Sequence, residues 1–117
     1  DDMKDHEKAL EYYERALKGK EKTLGKTHPD TLTTVMNIAL VYADGMKDYE
    51  KANELYRRAL EGYDAQLGKD HENTKMCAEN LAICLEKAGE KEKLRKVLDY
   101  YPHLITSEDG VYYGWSK

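Results

Sequence analysis

Four histidines are the residues whose chemistry could most readily support a metal or catalytic site. His28 and His71 occupy equivalent positions 43 residues apart, whereas His6 and His103 lie elsewhere in the sequence. None of them belongs to a His/Cys/Asp spacing typical of zinc sites, so we predict no metal site. A role in the first turn of a helix accounts for both equivalent histidines at once.

The two cysteines are the next candidates for chemistry. Cys77 and Cys84 are seven residues apart in one apolar segment, which places both thiols on one helical face about 10 Å apart along the axis. That separation is too long for a disulfide. Cys77 also lacks an activating histidine in the repeat, so burial as a small hydrophobic residue is the favoured interpretation.

Other catalytic patterns do not occur in the sequence. It contains no phosphate-binding loop, no nucleotide fingerprint and no Ser/His/Asp arrangement. The mixed charges of residues 86–93 are typical of a solvated helix surface with supporting ion pairs. We therefore predict a protein that is not an enzyme and requires no cofactor.

Composition and charge restrict the partners. The 117 residues carry 19 basic and 23 acidic side chains mixed along the chain, a net charge of −4, with no basic stripe that could follow a phosphate backbone. No apolar run approaches the roughly 20 residues that cross a bilayer, and residues 1–5 show no signal-peptide pattern. These features favour a cytoplasmic protein that binds neither nucleic acid nor membrane.

An internal repeat organises the chain. Residues 5–39 align with residues 48–82 at a constant offset of 43, with about half the positions identical. Apolar residues follow a helical period in each unit, and residues 32–42 and 76–85 are apolar around most of the circumference. The pattern predicts all-α helix pairs with amphipathic outer helices and inner helices that are packed on two sides.

Local sequence signals predict where these helices begin and end. Thr27 and Asp70 are expected to cap the inner helices, and Pro29 suits a first helical turn. Glycine accepts the left-handed conformation of a helix stop, and four are expected in that role: Gly25, Gly45, Gly68 and Gly89. The resulting helices are 5–24, 29–44, 48–67, 71–88 and 91–101, which make two full hairpins preceded by a lone outer helix.

Small residues at helix crossings are part of the same prediction. Ala39 and Ala52 are expected where the two helices of a hairpin cross, and Ala16 and Ala59 where an outer helix meets the next hairpin. Small side chains there let the helix axes approach closely.

The third unit departs from the repeat. Leu94 and Tyr101 stand where the preceding outer helix has Ala52 and Ala59, so the last pair packs loosely or the stack ends there. We expect a repeat domain over 1–101, with an outer helix at 5–24 and repeats at 29–67 and 71–101. The remaining segment, 102–117, is expected to be a C-terminal tail, either a linker or an apolar flap that folds back.

Three features carry a resemblance to a known family, namely residues 12–17 with 55–60, the Leu-Gly-Lys-x-His linkers, and residues 37–42. Over about residues 5–101, the repeat resembles the extended tetratricopeptide repeat of kinesin light chains and similar proteins. It implies a tetratricopeptide-like α-α superhelix of about five helices. It also implies that asparagines of the inner helices hold the backbone of an extended peptide.

Asn37 and Asn80 are the leading candidates for such a site. Each is an amide inside an otherwise apolar helix, which is a costly position unless hydrogen-bond partners are available. The other candidate peptide-binding residues lie three or four positions away: Thr33, Thr34, Leu40, Val41, Met76 and Ile83. Alternatively, the two asparagines bond neighbouring helices and only order the stack.

Two functions follow from the repeat. The first is an adaptor that binds a peptide or protein segment on the concave inner-helix face. The second is a structural or self-assembling solenoid segment, because about three repeats are usually needed for stability and two and a half are present. In that case the exposed ends of the stack would pair between molecules.

Overall fold

The helical architecture follows the repeat. A computed structural model describes residues 2–104, with side chains described for 3–104. The elements are α1 (Asp2–Leu24), α2 (Pro29–Leu40), a π-helical turn (Val41–Gly45), α3 (Tyr49–Leu67), α4 (Glu72–Ala88), α5 (Lys91–Tyr100) and a 3-10 turn (Pro102–Leu104). Residues 2–104 contain no strand, so the predicted all-α fold class is confirmed.

The packing order is that of stacked helix pairs. α3 lies between α2 and α4, while α1 packs on α2 and α5 packs on α4. Ala39, Ala52 and Ala59 are completely buried, as close approach of neighbouring helices requires. Ala16, on the terminal helix α1, is only half-buried. None of the helices in residues 2–104 has the length and apolar character needed to cross a membrane.

Contacts between outer helices tie the successive units together. Arg58 of α3 donates to Glu21 of α1 at 2.7 Å, and Tyr101 after α5 donates its hydroxyl to Asp64 of α3 at 2.6 Å. Both contacts join side chains 37 residues apart in sequence. Each outer helix is therefore fixed to the next one as well as to the inner helix beneath it.

The predicted helix caps were wrong by one residue. Instead of Thr27 and Asp70, the N-caps are His28 and His71, whose Nδ1 atoms each accept a hydrogen bond at 3.0 Å from the backbone N–H two residues on. The Nδ1 atom of histidine is as many bonds from Cα as the side-chain oxygen of asparagine, a preferred cap residue. The equivalent histidines thus have one shared structural role, at the start of the inner helices.

Gly45 ends the first inner helix for a different reason from the one predicted. Gly25, Gly68 and Gly89 do have positive φ values, but after the π-helical turn the positive φ belongs to Lys47 (57°). A Cβ on Gly45 would approach the His6 ring to 2.7 Å. Glycine leaves room there for the His6 side chain of α1, which would have to shift if Gly45 carried a Cβ.

The first three residues of the expected tail are part of the described structure. Pro102–Leu104 forms a 3-10 turn, and Leu104 is 3% exposed, so the packed part of the chain continues past residue 101. The rest of the predicted tail, 105–117, lies outside the described residues.

Removing a histidine cap should destabilise the fold. We expect His28→Ala or His71→Ala to lower the free energy of unfolding by about 0.5–2 kcal/mol, because one backbone donor in the first helical turn loses its acceptor. Chemical unfolding measures this change. His71→Asn should retain most of the stability, and Thr27→Ala serves as a matched control at the rejected cap position. Equal losses in Thr27→Ala and His28→Ala would contradict the assignment.

Candidate functional site

Equivalent positions of the two inner helices form paired rows. Four pairs at the repeat offset of 43 follow one another at helical spacing, which puts each row on one face of its helix. The pairs are Thr33 with Met76, Asn37 with Asn80, Leu40 with Ile83, and Asp44 with Lys87. α2 with its π-helical turn supplies the first member of each pair, and α4 supplies the second.

The two rows meet at a cavity of about 230 Å³ between the inner helices. Three of the predicted site residues line it together, namely Leu40, Asn80 and Ile83. We call this surface the inner groove, and its full lining is Leu40, Ala43, Asp44, Tyr49, Tyr56, Asn80, Ile83, Cys84 and Lys87. The lining combines apolar side chains with one amide and with charges of both signs.

The amides of Asn37 and Asn80 are both half-exposed. Asn80 directs its Nδ2 atom toward the Met36 sulfur of α2 at 3.9 Å, and a thioether is a weak acceptor. Among residues 2–104, no side chain or backbone group is hydrogen-bonded to the side chain of Asn37. Both amides therefore keep hydrogen-bonding capacity that the described residues use little.

The remaining predicted residues differ in accessibility. Leu40 is 41% exposed and Met76 is 46% exposed, so both side chains are accessible at the surface. Thr33 is half-buried, and its hydroxyl lies 2.6 Å from the hydroxyl of Tyr63. Val41 is half-buried in the π-helical turn and does not line the cavity.

Thr34 lies beneath the surface. It is 3% exposed, accepts a hydrogen bond from Lys20 at 3.1 Å and donates to the backbone oxygen of Asp30 at 3.3 Å. Its hydroxyl is committed within the protein, so the structure does not bring Thr34 together with the other candidates.

Asp44 and Lys87 were missed by the sequence reasoning although a signal was present. They lie seven residues after Asn37 and Asn80 respectively, which continues each row by two helical turns. Their opposite charges give the inner groove one acidic and one basic wall at this end.

The cysteines are placed for packing. Cys77 is completely buried and Cys84 is 2% exposed, and their thiols donate to the backbone oxygens of Tyr56 and Tyr49 at 3.5 and 3.7 Å. Burial raises the pKa of Cys77 to about 12 and that of Cys84 to about 11, so both thiols stay protonated near neutral pH. Among the described residues, no group of three His, Cys, Asp or Glu side chains is arranged to hold a metal ion.

Paired helices, capped at equivalent histidines and stacked at a constant offset, define an α-helical repeat protein. The family model described as tetratricopeptide repeat matches residues 2–65 and 34–93. The chain belongs to the tetratricopeptide repeat family, whose members are generally protein-interaction modules without catalytic activity. A comparison with curated proteins gave no match to the chain.

Thiol reactivity tests the placement of the cysteines. We expect both thiols to react slowly with a disulfide reagent in the folded protein at pH 8 and rapidly after denaturation, because the thiolate is the reactive form. The raised pKa values favour the folded state below the ordinary thiol pKa near 9, and this contribution is lost as pH rises toward 11 to 12. The alkaline fall in unfolding free energy should therefore be shallower in Cys77→Ala/Cys84→Ala. Thiols that react in the folded protein as fast as a free thiol would contradict this placement.

Proposed function

We propose that the chain is a non-catalytic adaptor that binds an extended segment of another protein in the inner groove. The observation that carries the proposal is the equivalence of Asn37 and Asn80 in the two rows. Asn80 lines the inner groove with Leu40 and Ile83, and Asn37 lies one helical turn before Leu40, outside that lining. The resemblance of the repeat to kinesin light chains supports the same assignment. Both cysteines are free, which suits a reducing compartment, and we place the adaptor in the cytoplasm.

The proposed binding mode uses the amides to hold a ligand main chain. An asparagine side chain both donates and accepts, so it can bond the N–H and C=O of one peptide unit. Asn37 and Asn80 lie on different inner helices, so they would hold main-chain groups at separate positions along the peptide. This contact would be independent of ligand side chains.

Side-chain selection would come from the positions beyond the amides. Leu40 and Ile83 offer an apolar surface for one ligand side chain, and the next pair, Asp44 and Lys87, offers one charge of each sign. We therefore propose a ligand with an apolar residue flanked by charged ones. Charge pairs at the rim of a groove contribute more to selection than to affinity.

The structural role of the asparagines remains the competing explanation. It has support at Asn80, whose Nδ2 atom approaches Met36 of α2. It has none at Asn37, whose amide has no hydrogen-bond partner among residues 2–104. An ordering role would affect the two positions unequally, whereas main-chain binding requires both.

Peptide selection with matched variants tests the proposed function. We expect peptides selected on the full chain from a displayed library of random linear sequences to bind Asn37→Ala/Asn80→Ala on the order of tenfold or more weakly. The loss of several ligand hydrogen bonds of about 0.5–1.5 kcal/mol each is the physical reason. Binding is measured by calorimetry, and unfolding free energy is measured on the same samples.

The control is Gln66→Ala, which removes an exposed amide of α3 that does not line the inner groove. Unchanged affinity in the double asparagine variant, together with a loss of stability, would favour the ordering role and reject the proposed site.

Self-association is the second candidate function, and one feature of α1 favours it. Ala9 and Ala16 are half-buried, whereas their equivalents in α3, Ala52 and Ala59, are completely buried between inner helices. The two alanines of α1 thus lack part of the cover that their equivalents in α3 have, and Tyr12 of the same helix is 69% exposed.

Sedimentation equilibrium tests this second candidate. Self-association through α1 predicts a mass that rises with concentration and returns to that of the monomer in Ala9→Arg/Ala16→Arg, because a charged side chain cannot be buried in the helix contact. A chain that stays monomeric at all concentrations would remove the candidate. The result is independent of the peptide experiment.

A further inference from the structure

A second, larger cavity lies on the opposite side of the stack. It has a volume of about 660 Å³ and separates α3 from α5. We call it the outer cleft, and its principal lining residues are Asn53, Leu60, Leu81, Leu85, Val97 and Tyr100. Leu81 and Leu85 project from a different side of α4 than Asn80 and Ile83, which line the inner groove. The two cavities share no lining residue.

The repeat itself shows why the outer cleft is open. At the equivalent place between α1 and α3, the chain has the larger apolar residues Leu10 and Tyr42 where the outer cleft has Asn53 and Leu85. Less side-chain volume is therefore available to fill the space between α3 and α5. In addition, α5 buries Leu94 where α3 buries the much smaller Ala52, and a larger residue at a helix contact holds the helices further apart.

The amide of Asn53 is an unsatisfied polar group beside the outer cleft among the described residues. Asn53 is 8% exposed, and among the described residues its Oδ1 atom has no hydrogen-bond donor. A buried acceptor without a donor is unfavourable, since it has lost water and gained nothing in exchange. Less than 1 Å² of this oxygen is accessible, so a donor in the outer cleft would reach it only after the Asn53 side chain turned toward the cleft. A purely apolar occupant would not satisfy it.

The charges at the cleft define the occupant further. α5 contributes Lys93 and Lys96 to the wall, and α3 contributes Arg57. Two acidic residues of α3 also line the cleft, of which Asp64 already accepts the hydroxyl of Tyr101 and Glu61 is exposed. The α5 wall is therefore basic, and it favours an acidic group beside an apolar body.

We propose that the outer cleft is a second binding site, for a peptide segment that combines acidic and aromatic residues, and that residues 105–117 of this chain are its occupant. Their sequence contains Glu108 and Asp109, followed by Val111, Tyr112 and Trp115. The acidic pair matches Lys93 and Lys96. The apolar side chains match the leucine floor of the cleft, formed by Leu60, Leu81 and Leu85. Backbone N–H groups or the indole can donate to a turned Asn53 Oδ1 atom.

The chain reaches the cleft without a long connection. Tyr101 lines the cleft, and Leu104, the last described residue, is buried three positions later. The following 13 residues can extend roughly 40 Å, more than is needed to cross one helix pair. A short connection also gives the segment a high effective concentration at the cleft.

Trp115 provides a direct test because it is the sole tryptophan of the chain. In the full chain we expect its emission to be blue-shifted, and its quenching by acrylamide to be several-fold weaker, relative to a synthetic peptide of residues 105–117. Both effects should be independent of protein concentration, since the segment binds within its own chain. Free-peptide emission in the full chain would overturn the proposal.

Charge reversal identifies the cleft as the location. Lys93→Glu/Lys96→Glu should abolish most of the protection of Trp115, and adding Glu108→Lys/Asp109→Lys should restore it, because the two sign changes compensate. Asn53→Leu should also expose Trp115 by filling the cleft, while the unfolding transition reports that each variant is folded. The control is Lys18→Glu/Lys22→Glu on α1, with the same change in net charge.

Two outcomes would reject the occupant. Protection that survives the cleft variants would show that residues 105–117 bind elsewhere. Protection that disappears on dilution would show that the segment occupies a second copy of the chain.

Discussion

The structure depends on the burial of α3 between the two inner helices. Ala52 and Ala59 have no exposed surface and Tyr56 and Tyr63 almost none, so this outer helix is covered by α2 on one side and α4 on the other. Each helix of a repeat protein can bury its apolar face only against its neighbours. The alanines let the axes approach and the tyrosines fill the space between them. This arrangement sets α2 and α4 side by side, which is the condition for a groove between them.

Most of the helical architecture could be predicted from the sequence, because local patterns encode it and each pattern occurs in both repeat units. Helical periodicity with glycines at Gly25, Gly68 and Gly89 placed each helix to within a few residues. The helix caps were predicted one residue too early, because N-cap propensity favours Thr27 and Asp70. The histidine that follows each of them accepts the backbone hydrogen bond through its Nδ1 atom instead. The π-helical turn could not be predicted. It ends at Gly45, which faces His6 of α1, and no local sequence pattern reports this contact between separate helices.

The equivalent positions in the two rows could be predicted from the repeat. The accessibility of the individual candidate residues could not, because it depends on burial. The rows containing Asn37 and Asn80 follow from the offset of 43, and the same offset leads to Asp44 and Lys87. Helical spacing alone could not show that Thr33 is accessible and Thr34 is buried. Adjacent residues differ by about 100° around the helix axis, and which of them faces the neighbouring helix depends on tertiary packing.

The internal repeat also shows which features of this chain are particular to it. Positions with the same residue type in both units, such as Ala9 and Ala52, serve the packing that both units share. Asn53 and Leu85 replace larger apolar residues at the same offset, and there the regular stack gives way to a cleft with an unsatisfied buried oxygen. A substitution that only loosened the packing would be expected to leave an apolar void. An amide at the floor with lysines at the wall is a polar arrangement, and polar groups in a cleft distinguish one occupant from another. α4 thus separates two surfaces of different chemistry, an amide row on one side and a basic, leucine-floored cleft on the other.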